Sequence, residues 1–340
     1  EGKLGKCDPR ERNEEDGAEK PRLKNLLIKP IPDATSRAMA LETDEIDLLA
    51  TAIMDHGSSG VNPDACGQMS NHPIYQASFS EPRNTRLLAL STRLEPTNEL
   101  AVRQAIVQAV NRAAIIRGVL LNQELAADEL LDPATPYCDV SLTAYIFDKN
   151  RASQILDQAG WQLKPGDKLR QKNGRPLKVQ LKFLANEQIM RSIGEVVKQD
   201  LSDVGLDVEL IGLDPGAFGQ AQHDGDFNLI FCESNGAPYD PLTYLSAMRS
   251  SGHADYQAQL GLSMKSEMDD MISRALATND KAELKSLVGE VLTILHEQCV
   301  YLPLSRTVDK ASYKKDNLSG FHFNPVSYDL PFIRPKRVKK

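Results

Sequence analysis

The chain has 340 residues, 41% hydrophobic and 26% charged, with a net charge of -7. That length accommodates two domains of ~150 residues each. The acidic balance argues against a nucleic-acid partner, which rewards a basic face, and no run approaches the ~20 apolar residues of a membrane span. The charged opening EGKLGKCDPRERNEEDGAEKP has no signal-peptide pattern, and Cys7 lacks the apolar run that precedes a lipid attachment site. Cys7, Cys66, Cys138, Cys232 and Cys299 are widely spaced and form no CxxC. They therefore read as isolated thiols rather than as a disulfide framework or structural zinc site.

Residues 23–32 (LKNLLIKPIP) read as a strand, followed by a helix over 37–42 capped by Asp33 or Thr35 and a strand over 45–49. Residues 51–71 are rich in Gly, Ser, Asn and Asp, and read as loop plus a short helix. Strands are expected at 76–80 and 86–92. The spacing of Leu100, Val102, Ile106, Val110, Ile115 and Ile116 predicts one long helix over 95–121, capped by Thr97 or Asn98. Pro133 and Pro136 make 132–144 irregular, and a helix over 148–159 ends at Gly160 before Trp161. A basic turn region over 164–176 leads to a strand over 177–183, a helix over 187–204 stopped by Gly205, and a strand over 207–211. The apolar run FNLIFC (227–232) suits a buried strand. Helices over 265–277 and 281–297, a strand over 300–304 and a mixed tail complete the chain. The alternation over 86–304 argues an α/β lobe.

The stretch 235–255, NGAPYDPLTYLSAMRSSGHAD, concentrates Pro, Gly, aromatics, Arg249 and His253. It reads as a loop entering a helix at Pro241 behind Asp240, with Leu242, Leu245 and Met248 on the apolar side and His253 a few residues beyond. Such a loop presents polar and aromatic side chains to a ligand. No Gly-rich phosphate loop, GxSxG or HExxH occurs. His296 and Cys299, spaced i, i+3, could supply two metal ligands at most. His223-Asp224 reads either as an oriented imidazole or as a plain turn before Gly225. No nucleophile, base and orienting group assemble, so a binding protein rather than an enzyme is expected.

Several segments, in order, resemble the large bacterial extracellular solute-binding proteins of the peptide and nickel class. They are IPDATSRAMALETDEIDLL (31–49), LALSTRLEPTNELAVRQAIVQAVNR (88–112), FDKNRASQILDQAGW (147–161) and VVKQDLSDVGLDVELI (196–211). Within that family RQKNGRPL (170–177), NGAPYDPLTYLSAMR (235–249), GHADYQAQLGL (252–262) and VYLPLS (300–305) are similar to the nickel receptors of ABC importers. The resemblance implies a two-lobed, type II α/β receptor with an incomplete first lobe: residues 1–85 in the first lobe, 86–305 in the second, and 306–340 returning to the first. It also implies a periplasmic monomer that binds a nickel chelate, such as nickel with free histidine, in the cleft between lobes. Such a receptor delivers its ligand to an inner-membrane permease powered by an ATPase, and no resident cofactor is expected.

By the same resemblance the metal arrives already chelated and His253 adds one imidazole. Ni(II) accepts nitrogen and oxygen ligands in octahedral or tetragonal geometry, so one histidine can complete the shell. Tyr239 would wall the ligand or pack the loop onto the lobe, and Arg249 would pair with a ligand carboxylate or point to solvent. Asn235 stands where the family usually has tryptophan, and Ser327 and Tyr328 fall where its chain returns beside the ligand. The alternatives are a di- or oligopeptide receptor, a haem-like ligand, a folded remnant without ligand and, more distantly, a metallohydrolase. The peptide class uses an aspartate for the α-amino group where this chain has Ala237 and Pro238, neither of which accepts an ammonium.

Overall fold

The computed structural model describes residues 27–29, 31, 33–50, 63–82, 84–234 and 241–323, and the backbone of Lys336–Arg337. The expected strand over 23–32 lies partly outside them, and residues 27–29 have no regular structure. The chain divides into two compact units, Glu1–Glu81 with Val308–Lys340, and Pro82–Thr307. The sequence reading put these divisions at 85/86 and 305/306.

The first unit opens with α1 (Ala34–Glu42), β1 (Leu48–Ala50), α2 (Pro63–Asn71) and β2 (Tyr75–Phe79). Asp33 caps α1 by accepting from Ser36 N at 2.7 Å, as its short oxygen-bearing side chain favours. Leu41, Leu49, Cys66, Met69 and Tyr75 form its core.

The second unit runs through β3 (Thr85–Leu90), α3 (Leu100–Ala109), α4 (Arg112–Gly118), β4 (Leu125–Ala126), α5 (Lys149–Gln158), the hairpin β5 (Gln171–Lys172) and β6 (Arg175–Pro176), and β7 (Lys178–Leu184). There follow α6 (Gln188–Ser202), β8 (Asp207–Leu213), α7 (Pro215–Asp224), β9 (Leu229–Glu233), α8 (Pro241–Ala247), α9 (Ala254–Gln259), α10 (Lys265–Ala277), α11 (Lys281–Glu297) and β10 (Tyr301–Arg306). Its sheet has the order β4-β10-β3-β9-β7-β8 among the described residues. β7 is parallel to β8 and β9, while β3 and β10 are antiparallel to their neighbours. Every residue of β3 and of β10 is buried, the polar Thr85, Arg86, Ser305 and Arg306 included. α11 turns Leu284, Leu287, Val288, Val291, Leu292 and Leu295 inward, an i, i+3, i+4, i+7 stripe. The chain then returns to the first unit as β11 (Lys310–Lys314), β12 (Leu318–Ser319) and β13 (Lys336–Arg337). β11 is the middle strand of the sheet β1-β11-β2.

Three expectations are corrected. The single helix over 95–121 is two, α3 and α4, separated by an extended Val110 (φ -85°, ψ 123°). Asn111 causes the break: its side chain accepts from Ala114 N at 3.0 Å, and its own N–H goes to Asp200 Oδ2 at 2.9 Å instead of to a helical carbonyl. The cap of α3 is Glu99, not Thr97 or Asn98, and it makes no side-chain capping bond. The carbonyls of Thr97 and Asn98 instead accept from the buried Arg103 guanidinium at 2.7 and 3.0 Å. Finally, the tail after Ser305, expected to be mixed, contains the strand β11.

The cap at the break is a testable feature. Asn111→Ala is expected to lower the unfolding free energy by about 1 kcal/mol, read from the shift of a urea midpoint at constant slope. An unchanged midpoint would show that tertiary packing alone ends α3.

Candidate functional site

His253 is the N-cap residue of α9, at φ -100° and ψ 142°, and its imidazole makes no side-chain capping bond. It is exposed, as is Arg249. The short turn between α8 and α9 carries both, Arg249 at its start and His253 at its end. A run of backbone bonds shapes that turn: Arg249 N donates to Ser246 O, Ser250 N to Ala247 O, and His253 N to Ser250 O, all within 3.0–3.1 Å. Gln257 N then donates to His253 O at 3.2 Å, the first bond of α9.

Beneath the turn lies a buried polar network. Asp255 Oδ1 accepts from Tyr244 Oη of α8 at 2.7 Å and from Tyr301 Oη of β10 at 2.8 Å. Gln259 Nε2 donates to Tyr301 Oη at 2.9 Å. The remainder of α9 is tied to the end of β3: Thr92 N and Oγ1 both donate to Ala258 O, and Gly261 N donates to Thr92 Oγ1 at 2.9 Å. Gly261 is required there, since a Cβ would stand 1.9 Å from Thr92 O. On the other side Lys265 Nζ donates to Met248 O at 3.1 Å and pairs with Asp269 at 2.6 Å. The exposed imidazole therefore stands on a base anchored to two central strands.

Burial pushes the Asp255 carboxyl above the ordinary value of 3.8, against the opposing pull of the two tyrosine hydroxyls. Burial likewise pushes the Tyr244 and Tyr301 hydroxyls and the nearby Cys232 thiol well up, with the Asp255 charge adding to each. Burial and, more weakly, the Arg249 charge lower the Lys265 ammonium, while Asp269 opposes both.

Of the residues singled out from sequence, the structure thus places His253 and Arg249 on one exposed turn. Asn235, Tyr239, Ser327 and Tyr328 lie outside the described residues, as do Ala237 and Pro238. No ion pair joins Arg249 to a carboxylate among the described residues. His296 and Cys299 do not act as a metal pair. His296 Nε2 takes Thr143 O at 2.8 Å and its ring stacks on Tyr145 at 4.7 Å. Cys299 is buried, its thiol pushed up to about 11 chiefly by burial. His223-Asp224 is not a plain turn: it ends α7, which begins at an Asp214 cap with Pro215 behind it and closes at Gly225 in the left-handed region (φ 67°). That cap, proline and glycine pattern was present in the sequence. Asp255, Tyr244 and Tyr301 were missed, because nothing local marks a carboxylate whose partners come from residues 11 and 46 positions away.

Among the described residues no group of three or more His, Cys, Asp or Glu side chains is placed to hold a metal ion.

Residues 10–256 match the model of the bacterial extracellular solute-binding proteins, family 5 Middle. The chain belongs to this family. It is 39% identical to the nickel-binding periplasmic protein of Escherichia coli (strain K12) over all 340 residues, which is 64% of that relative's length. It is 22% identical to the dipeptide-binding protein of the same organism over 91% of the chain and 56% of the relative. The crystal structure of NikA from Brucella suis in complex with Fe(III)-EDTA superposes with a TM-score of 0.92 at 38% identity, covering 99% of the chain and 66% of that structure. The chain thus spans between 56% and 66% of these relatives' length. The mixed α/β fold of the chain accordingly matches that of the two-lobed solute-binding proteins of the peptide and nickel class.

The Asp255 network generates a prediction with a definite sign. A carboxyl whose pKa is raised on folding binds more protons in the native state, so stability falls as pH rises from near 3.8 through the raised value. Asp255→Asn should flatten that slope in urea midpoints measured from acid to neutral pH. Tyr301→Phe, which strips one donor from the buried carboxylate, should cost about 1–3 kcal/mol at neutral pH. A Tyr301→Phe variant as stable as wild type would show that the hydroxyl pair is dispensable.

Proposed function

We propose that this chain is the ligand-binding component of a periplasmic ABC importer, that it acts as a receptor rather than as an enzyme, and that its cargo is a nickel chelate such as nickel with free histidine. The observation that carries this reading is the exposed imidazole of His253 on its anchored turn, with no group of three or more metal-ligating side chains among the described residues. A borderline divalent ion wrapped by amino-acid carboxylates and amines needs one such nitrogen to complete its shell. Arg249, on the same turn, offers its guanidinium to a chelator carboxylate. Asn235, Tyr239, Ser327 and Tyr328 are the further proposed contacts. The 39% identity to a protein named for nickel binding, against 22% to one named for dipeptides, supports the metal over the peptide. Ala237 and Pro238, which cannot accept an ammonium, support the same choice. The partners of such a monomer are an inner-membrane permease and its ATPase. The competing readings are a haem-like cargo and a form that binds nothing. No helix among the described residues is long and apolar enough to cross a membrane.

A ligand that binds only the native state stabilises it by about 2.7 kcal/mol at a hundredfold excess over Kd. Ni(II) with L-histidine at that excess should raise the melting temperature by about 4–6 °C, and His253→Ala should abolish the rise while melting normally without ligand. An equal rise in the variant overturns the role of His253. A rise with a dipeptide and none with the nickel chelate overturns the cargo.

A further inference from the structure

Gln257 of α9 holds the backbone leading into α9 at two points. Its N–H donates to His253 O at 3.2 Å, and its Nε2 donates to Ser251 O at 2.8 Å. One residue thus closes the backbone from Ser251 to His253 into a ring. Nε2 also donates to His223 O, at the end of α7, again at 2.8 Å. Both hydrogens of the carboxamide are committed in this way, and Gln257 is buried. Among the described residues no other side chain bonds to the backbone of 249–253.

The end of α7 is shaped to receive this carboxamide. Gly225 closes the helix at φ 67°, and a Cβ there would stand 2.6 Å from Gln257 Oε1 and 3.0 Å from Gln257 Cβ. A side chain at 225 would push the carboxamide off both carbonyls. The two carbonyls after His223 are taken up separately: Arg93 Nη2 donates to Asp224 O at 3.1 Å and to Gly225 O at 3.4 Å. β9 follows α7 and leads in sequence to Asn235 and Tyr239. Gln257 therefore joins the helix ahead of those residues to the turn that carries His253.

We propose that Gln257 is a positioning residue for the ligand turn: its carboxamide orders residues 251–253 in the ligand-free protein and fixes them against the end of α7. The proposal rests on the reading of His253 as a metal contact. The carboxamide itself touches no ligand atom. It removes backbone conformations that would otherwise be lost on binding, and ordering one residue at that moment costs about 5- to 30-fold in affinity. Methionine at 257 keeps the length and the apolar stem but donates nothing to Ser251 O or His223 O. Glutamate keeps the shape, yet its ionised carboxylate only accepts and would face two carbonyl oxygens.

The full chain is titrated calorimetrically with Ni(II) and L-histidine, and amide hydrogen exchange is followed along the ligand-free chain. Gln257→Met and Gln257→Glu are each expected to weaken binding by about 10-fold. Exchange of the 250–253 amides should quicken in both, while β3, β10 and α11 exchange as in the wild type. Weaker binding with faster exchange throughout the second unit overturns the proposal, because the residue would then support the fold at large. Failure of both variants to fold overturns it for the same reason. Wild-type affinity in both variants, with binding lost in His253→Ala, overturns the role of Gln257 and leaves that of His253 standing. Wild-type affinity in His253→Ala overturns the reading of His253 and this proposal with it.

Discussion

Asp255 Oδ1 receives the hydroxyl hydrogens of Tyr244 from α8 and Tyr301 from β10, and the exposed turn between α8 and α9 depends on that meeting point. A buried carboxylate is expensive to desolvate, and it is retained only where donors surround it. Here the donors come from the helix before the turn and from a central strand of the sheet. The loop that carries Arg249 and His253 is therefore registered to the most buried part of the second unit. Thr92 and Gly261 repeat the same solution at the other end of α9, where a carbonyl and an amide are taken up by one side chain.

The arrangement separates rigidity from contact. The groups that position the turn are buried and bonded to one another, whereas the groups that could meet a ligand, His253 and Arg249, are exposed, and among the described residues His253 makes no side-chain capping bond and Arg249 no ion pair. A receptor benefits from this division, because each side chain ordered only on binding costs ~0.5–1.5 kcal/mol of affinity. The backbone of the turn is already ordered by its own bonds, so the cost falls only on the side chains that touch the ligand.

Local signals read well where one side chain decides a local event. Asp33 caps α1 as expected, α5 and α11 begin at or within one residue of their expected starts behind the caps Asp148 and Asp280, and Gly205 follows α6 in the left-handed region (φ 82°). They read poorly where a long-range partner outweighs periodicity. The apolar spacing from Leu100 to Ile116 is continuous through Val110, but Asp200 takes the Asn111 amide and the helix breaks. β11 was left in a mixed tail because its identity comes from pairing with Leu48–Ala50 and Tyr75–Phe79, more than two hundred residues away in sequence. The family resemblance supplied His253 as a candidate where spacing alone would have left a solvated loop histidine.

Composition, apolar periodicity and the order of family segments were sufficient for the α/β class, most of the elements, and a nomination of the 235–255 stretch. Those properties are local or additive, so they survive being read along a line. The base of the site could not be read that way. Tyr301 reaches Asp255 across 46 residues, and Gln257 brings His223 to the edge of Gly252 across 34. A hydrogen bond depends on distance and angle in space, and residues this far apart in the chain satisfy them only once the sheet has set β10 against β3 and packed α7 against α9.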